Sequence, residues 1–190
     1  MAAESPPQTP SSAGLKILWP RLALFVSVVG VVGSLYMSLQ MELKACPLCL
    51  YQRAFIMSVA AILGFGLFLP DVPKAALTPL ALAPAMAGAV VANTHVLLVV
   101  NGILECPMGV TGFITAPGES LIVYVLLMSL LLVDLFHNKR YVMPGLGALL
   151  IGYILASTSI KATPPVPDPT GPYPADTKLD GCRKVYRERT

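Results

Sequence analysis

Five long apolar runs dominate the chain, at 22–41, 47–69, 77–100, 121–136 and 141–160. An α-helix needs roughly 20 such residues to cross the ~30 Å hydrocarbon core of a bilayer. A transmembrane barrel needs alternating apolar and polar residues instead, and these runs are continuous. The pattern predicts an all-α, polytopic membrane helical bundle of five spans. The fourth run is the shortest, and is expected to need snorkelled ends or a locally thinned bilayer. Composition agrees: 55% of the 190 residues are hydrophobic and 12% are charged, against about 25% charged in a soluble domain. A soluble fold of this size has no interior large enough for that much apolar surface. A soluble enzyme and a disordered chain are therefore excluded. A net charge of +3 is too small for a phosphate-seeking surface, which excludes nucleic acid as a partner.

The remaining segments divide the chain. Residues 1–15 are rich in Ser, Pro and Ala with a single charge, Glu4, and read as a disordered N-terminal tail. Residues 16–160 form the transmembrane domain, and 161–190, rich in Pro and charge, form a polar C-terminal tail. The first run is too long for a signal-peptide core and lacks an A-x-A-like end, so it reads as a retained helix. Lys16, Arg21, Lys74, Lys139 and Arg140 collect on the N-terminal side, against Lys44, Arg53 and Lys161 near the membrane on the other. The bias places the N terminus in the cytoplasm and the C-terminal tail outside it. Two further features read as structural. Asp134, one turn before Lys139 and Arg140, predicts an interfacial ion pair. Gly30, Gly33, Gly145, Gly147 and Gly152 predict close helix packing.

This topology sets all four cysteines, Cys46, Cys49, Cys106 and Cys182, on the oxidising face. Cysteines that merely filled the core would fall mid-helix. The segment Cys46-Pro47-Leu48-Cys49-Leu50-Tyr51-Gln52-Arg53 opens the second helix. Pro47 suits a first helical turn, where its missing N–H costs nothing. Cys46 then stands at the N-cap, with Cys49 at i+3 and Arg53 four residues beyond, all on one helical face. A helix N-terminus and a guanidinium both favour thiolate over thiol, and thiolate is the form that exchanges with disulfides. The other two cysteines are single and distant in sequence, so no four-ligand zinc site is read here. Leu50 after Cys49 excludes c-type haem attachment.

CPLCLYQR, with the surrounding helices, resembles the DsbB family of bacterial quinone-dependent disulfide bond formation proteins. The likeness covers the first four runs, about 22–136, and implies a four-helix DsbB-like core to which this chain adds a fifth transmembrane helix. It implies a thiol–disulfide oxidoreductase of the bacterial inner membrane, active on the periplasmic side. Electrons would pass from a periplasmic thioredoxin-like thiol oxidase to a membrane quinone, ubiquinone or menaquinone. Carried over by position, Cys49 is the quinone-side sulfur, Cys46 the exchanging sulfur and Arg53 the quinone-polarising residue. Cys106 matches the cysteine that meets the soluble partner. The family's second cysteine pair usually lies within one loop, and here that loop holds Cys106 alone. The resemblance implies pairs Cys46–Cys49 and Cys106–Cys182, whereas spacing leaves all three pairings open. The Pro-rich stretch before Cys182 is long enough, at about 3.1 Å per residue, to span some 65 Å.

His95 completes the expected site. Asn93-Thr94-His95 is polar within an apolar span, and such residues face the protein interior. His95 lies about 9 Å below the outer helix end, under Cys49 and beside a quinone headgroup on this reading. The alternative is interhelical hydrogen bonding. The alternative to the whole enzymatic reading is an accessory subunit of a larger membrane complex, with structural disulfides.

Overall fold

A computed structural model describes residues 10–70, 72–169, 171–173 and 178–186, with side chains from residue 18 onward in the first helix. Helices α1 (Pro10–Leu39), α2 (Pro47–Phe68), α3 (Lys74–Val100), α4 (Ala116–His137) and α5 (Val142–Ala162) form the bundle. All five are long and apolar enough to cross a membrane. Large apolar side chains such as Phe25, Val32, Phe65, Phe68 and Leu150 face outward, as lipid-exposed surfaces do. The chain is a polytopic helical membrane bundle.

Two helix starts differ from expectation. Helix α1 begins at Pro10, inside the segment read as a tail, and residues 1–9 lie outside the described residues. Helix α4 begins at Ala116 rather than 121 and runs 22 residues, so no short span needs accommodating. Pro117 occupies its first turn, where proline is tolerated. The Glu119 carboxylate there accepts hydrogen bonds from Val110 N (2.8 Å) and Thr111 N (2.7 Å). These bonds hold the preceding loop over the helix start.

Helix α3 is the centre, packed against α2, α4 and α5, while α1 closes on α2 and α4. Its buried face is made of small residues, Ala81, Ala85, Ala87, Gly88 and Ala92, which let neighbouring backbones approach. Tyr124 of α4 lies over Gly88, and its hydroxyl donates to Gln52 O at 2.5 Å. This joins α4 to α2 just below the cysteine motif. At Gly152 of α5 a Cβ would stand 2.3 Å from Ala83 O. That neighbour is backbone and has no rotamer to yield, so Gly152→Ala must push α5 away from α3. A loss of about 1–3 kcal/mol is expected, read as a lowered midpoint in thermal unfolding of the detergent-solubilised protein. Gly30 and Gly145 are similarly pressed by Ile56 and Leu135, whereas Gly33 and Gly147 meet nothing within 4 Å. The packing role read for the glycines thus holds for three of the five.

At the end of the bundle away from the cysteines, Asp134 is buried rather than interfacial. It accepts from Thr78 Oγ1 at 2.5 Å and Asn138 Nδ2 at 3.3 Å. Among the described residues it makes no ion pair with Lys139 or Arg140. Neutral donors on α3 and at the helix end satisfy it in place of the expected cations.

The opposite end, which carries the cysteines, is covered by the C-terminal tail. Strand β1 (Leu104–Glu105) pairs antiparallel with β2 (Arg183–Lys184), Leu104 opposite Lys184 and Glu105 opposite Arg183. On the tail's other side Lys44 forms a parallel bridge with Gly181. Lys44 N donates to Asp180 O at 2.6 Å, and Lys44 Nζ pairs with Asp180 at 2.7 Å. The tail is therefore laid between the α1–α2 and α3–α4 loops, and Cys182 is carried in at the seam.

Candidate active site

Cys46 caps α2 with extended backbone (φ −70°, ψ 163°), Pro47 fills the first turn, and Cys49 N donates to Cys46 Sγ at 3.3 Å. The two sulfurs stand 2.8 Å apart. The hydrogen bond shared with Cys49 pulls the Cys46 thiol down to about 5, and His95 acts in the same direction, while burial opposes both. Cys46 is thus the more acidic sulfur of the pair, as a helix N-cap favours.

Cys106 and Cys182 form a disulfide across 76 residues of chain. This is the pairing implied by the resemblance, and it joins the α3–α4 loop to the tail. Cys106 is buried, 6% exposed, whereas Cys182 is half-buried.

His95 stands where the two pairs meet. The ring is fully buried. Its Nε2 lies 3.4 Å from Cys106 Sγ, 3.4 Å from Cys182 Sγ and 3.8 Å from Cys46 Sγ. The other nitrogen, Nδ1, is 3.3 Å from the Gln52 amide, which holds the ring in this orientation. The sulfurs of Cys46, Cys49 and Cys182 and the His95 ligand atom all lie within 4.8 Å of one another. Cys182, distant in sequence, is therefore adjacent in space.

Cys49 and Arg53 open onto a cavity of about 380 Å³ enclosed by α1, α2, α4 and the loop before α4. Apart from a few polar groups its walls are apolar side chains such as Ile114 and Val123. Arg53 is fixed by α1: Nε donates to Ser34 Oγ (2.9 Å), and Nη2 donates to Ser34 O (3.0 Å) and Ser38 Oγ (2.5 Å). Among the described residues nothing hydrogen-bonds Nη1, so that edge of the guanidinium stays available at the cavity wall. A largely apolar cleft with a fixed guanidinium and the Cys49 sulfur in its wall suits a flat, apolar molecule bearing carbonyl oxygens. Cys46 opens instead onto a second groove of about 230 Å³, bounded by Thr94 and Leu98 of α3, Ile160 of α5 and Pro164 of the tail. Cys182 lines both spaces.

All six expected site residues thus lie at one end of the bundle. Cys49 and Arg53 line the apolar cavity; His95 stands behind Gln52, facing the sulfurs. Sequence reasoning passed over Gln52, Ser34 and Ser38. Gln52 shares the helical face of Cys49 at i+3, and the two serines are spaced i, i+4 on α1, so a polar stripe on each helix was there to be read.

The family model described as disulfide bond formation protein DsbB matches residues 16–118, more than half of the chain. The match takes in α2, α3 and Cys106 and ends in the first turn of α4, short of the four runs that the resemblance covers, and so leaves out α5 and Cys182. Neither a curated protein nor a solved structure matches the chain.

Proposed function

The chain belongs to the disulfide bond formation protein DsbB family, and we propose on that premise that it passes electrons from a reduced thiol partner, through its two cysteine pairs, to a membrane quinone. The observation that carries the reading is the convergence of three sulfurs, one from the inner pair and both of the outer, on His95 Nε2, with Cys49 opening separately onto the apolar cavity.

The exchange steps follow from which sulfur neighbours which. A thiolate of the partner attacks Cys106 Sγ, the Cys106–Cys182 bond breaks, and Cys182 leaves as thiolate. The partner's second thiol then displaces Cys106, so the partner departs as a disulfide and the outer pair holds two electrons. Cys182, beside the α2 motif, attacks Cys46 of an oxidised Cys46–Cys49 pair, and Cys49 leaves as thiolate. Cys106 displaces Cys46 from Cys182, which restores the outer disulfide and leaves the inner pair reduced. With the Gln52 amide oxygen turned to Nδ1–H, His95 Nε2 takes the proton from Cys182 or Cys106 as each attacks within the protein and returns it to the outer-pair sulfur released by the partner. Its approach to both pairs is what that task requires. A bound quinone supplies the oxidant for the inner dithiol. Arg53, fixed to Ser34 and Ser38, would hold its headgroup. The thiol partner is a periplasmic thioredoxin-like thiol oxidase. The protein sits in the bacterial inner membrane with this end facing the periplasm.

The test is coupled turnover in proteoliposomes, with partner thiol loss and quinone reduction measured together. Equal molar rates are expected. Arg53→Ala should raise the KM for quinone about 10-fold or more, the loss of one charge-assisted contact. The KM for the thiol partner should stay unchanged. Uncoupled rates in the unaltered protein, or an Arg53→Ala defect confined to the partner, overturn the assignment.

A further inference from the structure

We propose that the fully reduced protein binds a zinc ion at a Cys₃His site made of Cys46, Cys49, His95 and Cys182, and that the bound ion withdraws both cysteine pairs from exchange. The site itself stands on geometry; only its regulatory meaning rests on the proposed function.

Four ligand atoms, three sulfurs and one imidazole nitrogen, already lie within 4.8 Å of one another. A tetrahedral zinc with Zn–S of about 2.3 Å and Zn–N of about 2.0 Å sets its donors roughly 3.5–3.8 Å apart. The distances from His95 Nε2 to Cys182 Sγ, 3.4 Å, and to Cys46 Sγ, 3.8 Å, match that figure. The Cys46–Cys49 contact, 2.8 Å, needs to open by about 1 Å. A side-chain rotation at the first turn of a helix supplies this. Three elements provide the donors: the start of α2, the buried face of α3 near its C-terminal end and the tail. The Gln52 amide at His95 Nδ1 is the kind of outer contact that fixes a metal-binding imidazole. A half-turn of that amide presents its oxygen to Nδ1–H and leaves the Nε2 lone pair toward the sulfurs. Three thiolates and a dication leave one negative charge, which the N-terminus of α2 offsets.

The redox state completes or removes the site. In the resting disulfide Cys182 is committed to Cys106 and offers no thiolate. Only when both pairs are reduced do all three sulfurs become available at once. That state arises when thiols arrive faster than oxidant. Binding forms three S–Zn bonds and one N–Zn bond, releases the remaining thiol protons and transfers no electrons. Thiolates held by zinc are weaker nucleophiles, and Cys46 and Cys182 are then no longer free to attack.

The experiment measures metal in the full-length protein in lipid nanodiscs, with no quinone or partner added. Protein reduced at all four cysteines and freed of reductant is loaded with zinc, desalted and assayed for metal. Cobalt in parallel reports thiolate-to-metal charge transfer and a tetrahedral visible spectrum. A single equivalent is expected in reduced protein and none in oxidised protein. Two variants break the same disulfide and share its consequences for folding. Cys106→Ser should bind zinc whenever Cys46–Cys49 is reduced, since Cys182 is then always free. Cys182→Ser should lose the thiolate band. Gln52→Ala should weaken binding about 10–100-fold. Equal binding by oxidised and reduced protein, or retention in Cys182→Ser with loss in Cys106→Ser, overturns the site. Because no turnover is read, an inactive protein that still binds zinc refutes the proposed function and leaves this site standing, and an active protein that binds none does the reverse.

Discussion

Cys46→Ser and Cys49→Ser are each expected to lower kcat for quinone reduction by about 1000-fold or more, with any dithiol as donor. Residues that act as a covalent unit lose nearly everything when one member is removed. A lone sulfur in this pair cannot pass on two electrons, because there is no second sulfur to leave or to resolve. The two variants should nevertheless fail differently. Cys49→Ser keeps the Cys46 sulfur beside His95 and Cys182, so it should accumulate a mixed disulfide between Cys46 and Cys182. Cys46→Ser keeps only Cys49, which lines the apolar cavity, so the Cys46–Cys182 adduct is absent and any adduct must run through Cys49. Non-reducing peptide mass spectrometry separates the two, and circular dichroism in detergent should show unaltered helix content, because the bundle is held by α3 packing. Normal turnover in either variant removes the redox reading.

The second large effect belongs to the tail. Cys182→Ser should leave quinone reduction by small dithiols within a few-fold of normal, since Cys46, Cys49, Arg53 and the apolar cavity are all retained. Oxidation of the protein partner should fall by about 100-fold or more. A small dithiol fits the groove beside Cys46, whereas a folded partner must enter through the outer pair. Cys106 is 6% exposed and lies under the β1–β2 pairing. The partner therefore has to loosen the tail strand before it reaches that sulfur. Partner oxidation at the full rate in Cys182→Ser would mean that Cys46–Cys49 accepts electrons from the partner directly.

The spans and the motif were legible for a simple reason. Apolar runs long enough to cross a bilayer have one outcome, and Cys-Pro-x-Cys at the head of such a run has its cap geometry written locally. The start of α4 was not legible, because Pro117, Gly118, Glu119 and Ser120 read as loop. What makes them helical is the set of hydrogen bonds Glu119 receives from Val110 and Thr111, which depends on a loop folding back. The same holds for Asp134, whose partner Thr78 lies 56 residues away on α3. His95 shows the limit most clearly. Its depth in the membrane follows from counting residues, but its aim depends on the rotation of α3 against α2. That rotation is set by Gly88, Tyr124 and the Ala face, and it turns Nε2 to the sulfurs. Cys182 was readable as a partner only through family likeness, since nothing in its own neighbourhood predicts the bridge from Lys44 to Gly181.

The threading of the tail between two loops bears on how the protein matures. Chains are made from the N-terminus, so Cys46, Cys49, Arg53 and His95 emerge from the ribosome well before Cys182. Helices α4 and α5 both lie within the 76 residues that separate Cys106 from its partner. The Cys106–Cys182 disulfide therefore closes only after α4, α5 and the tail as far as Cys182 have been made. On the proposed function, the newborn chain until then has an outlet for electrons but no intake from a protein. On that reading, closure of this disulfide and the onset of activity toward the partner are the same event.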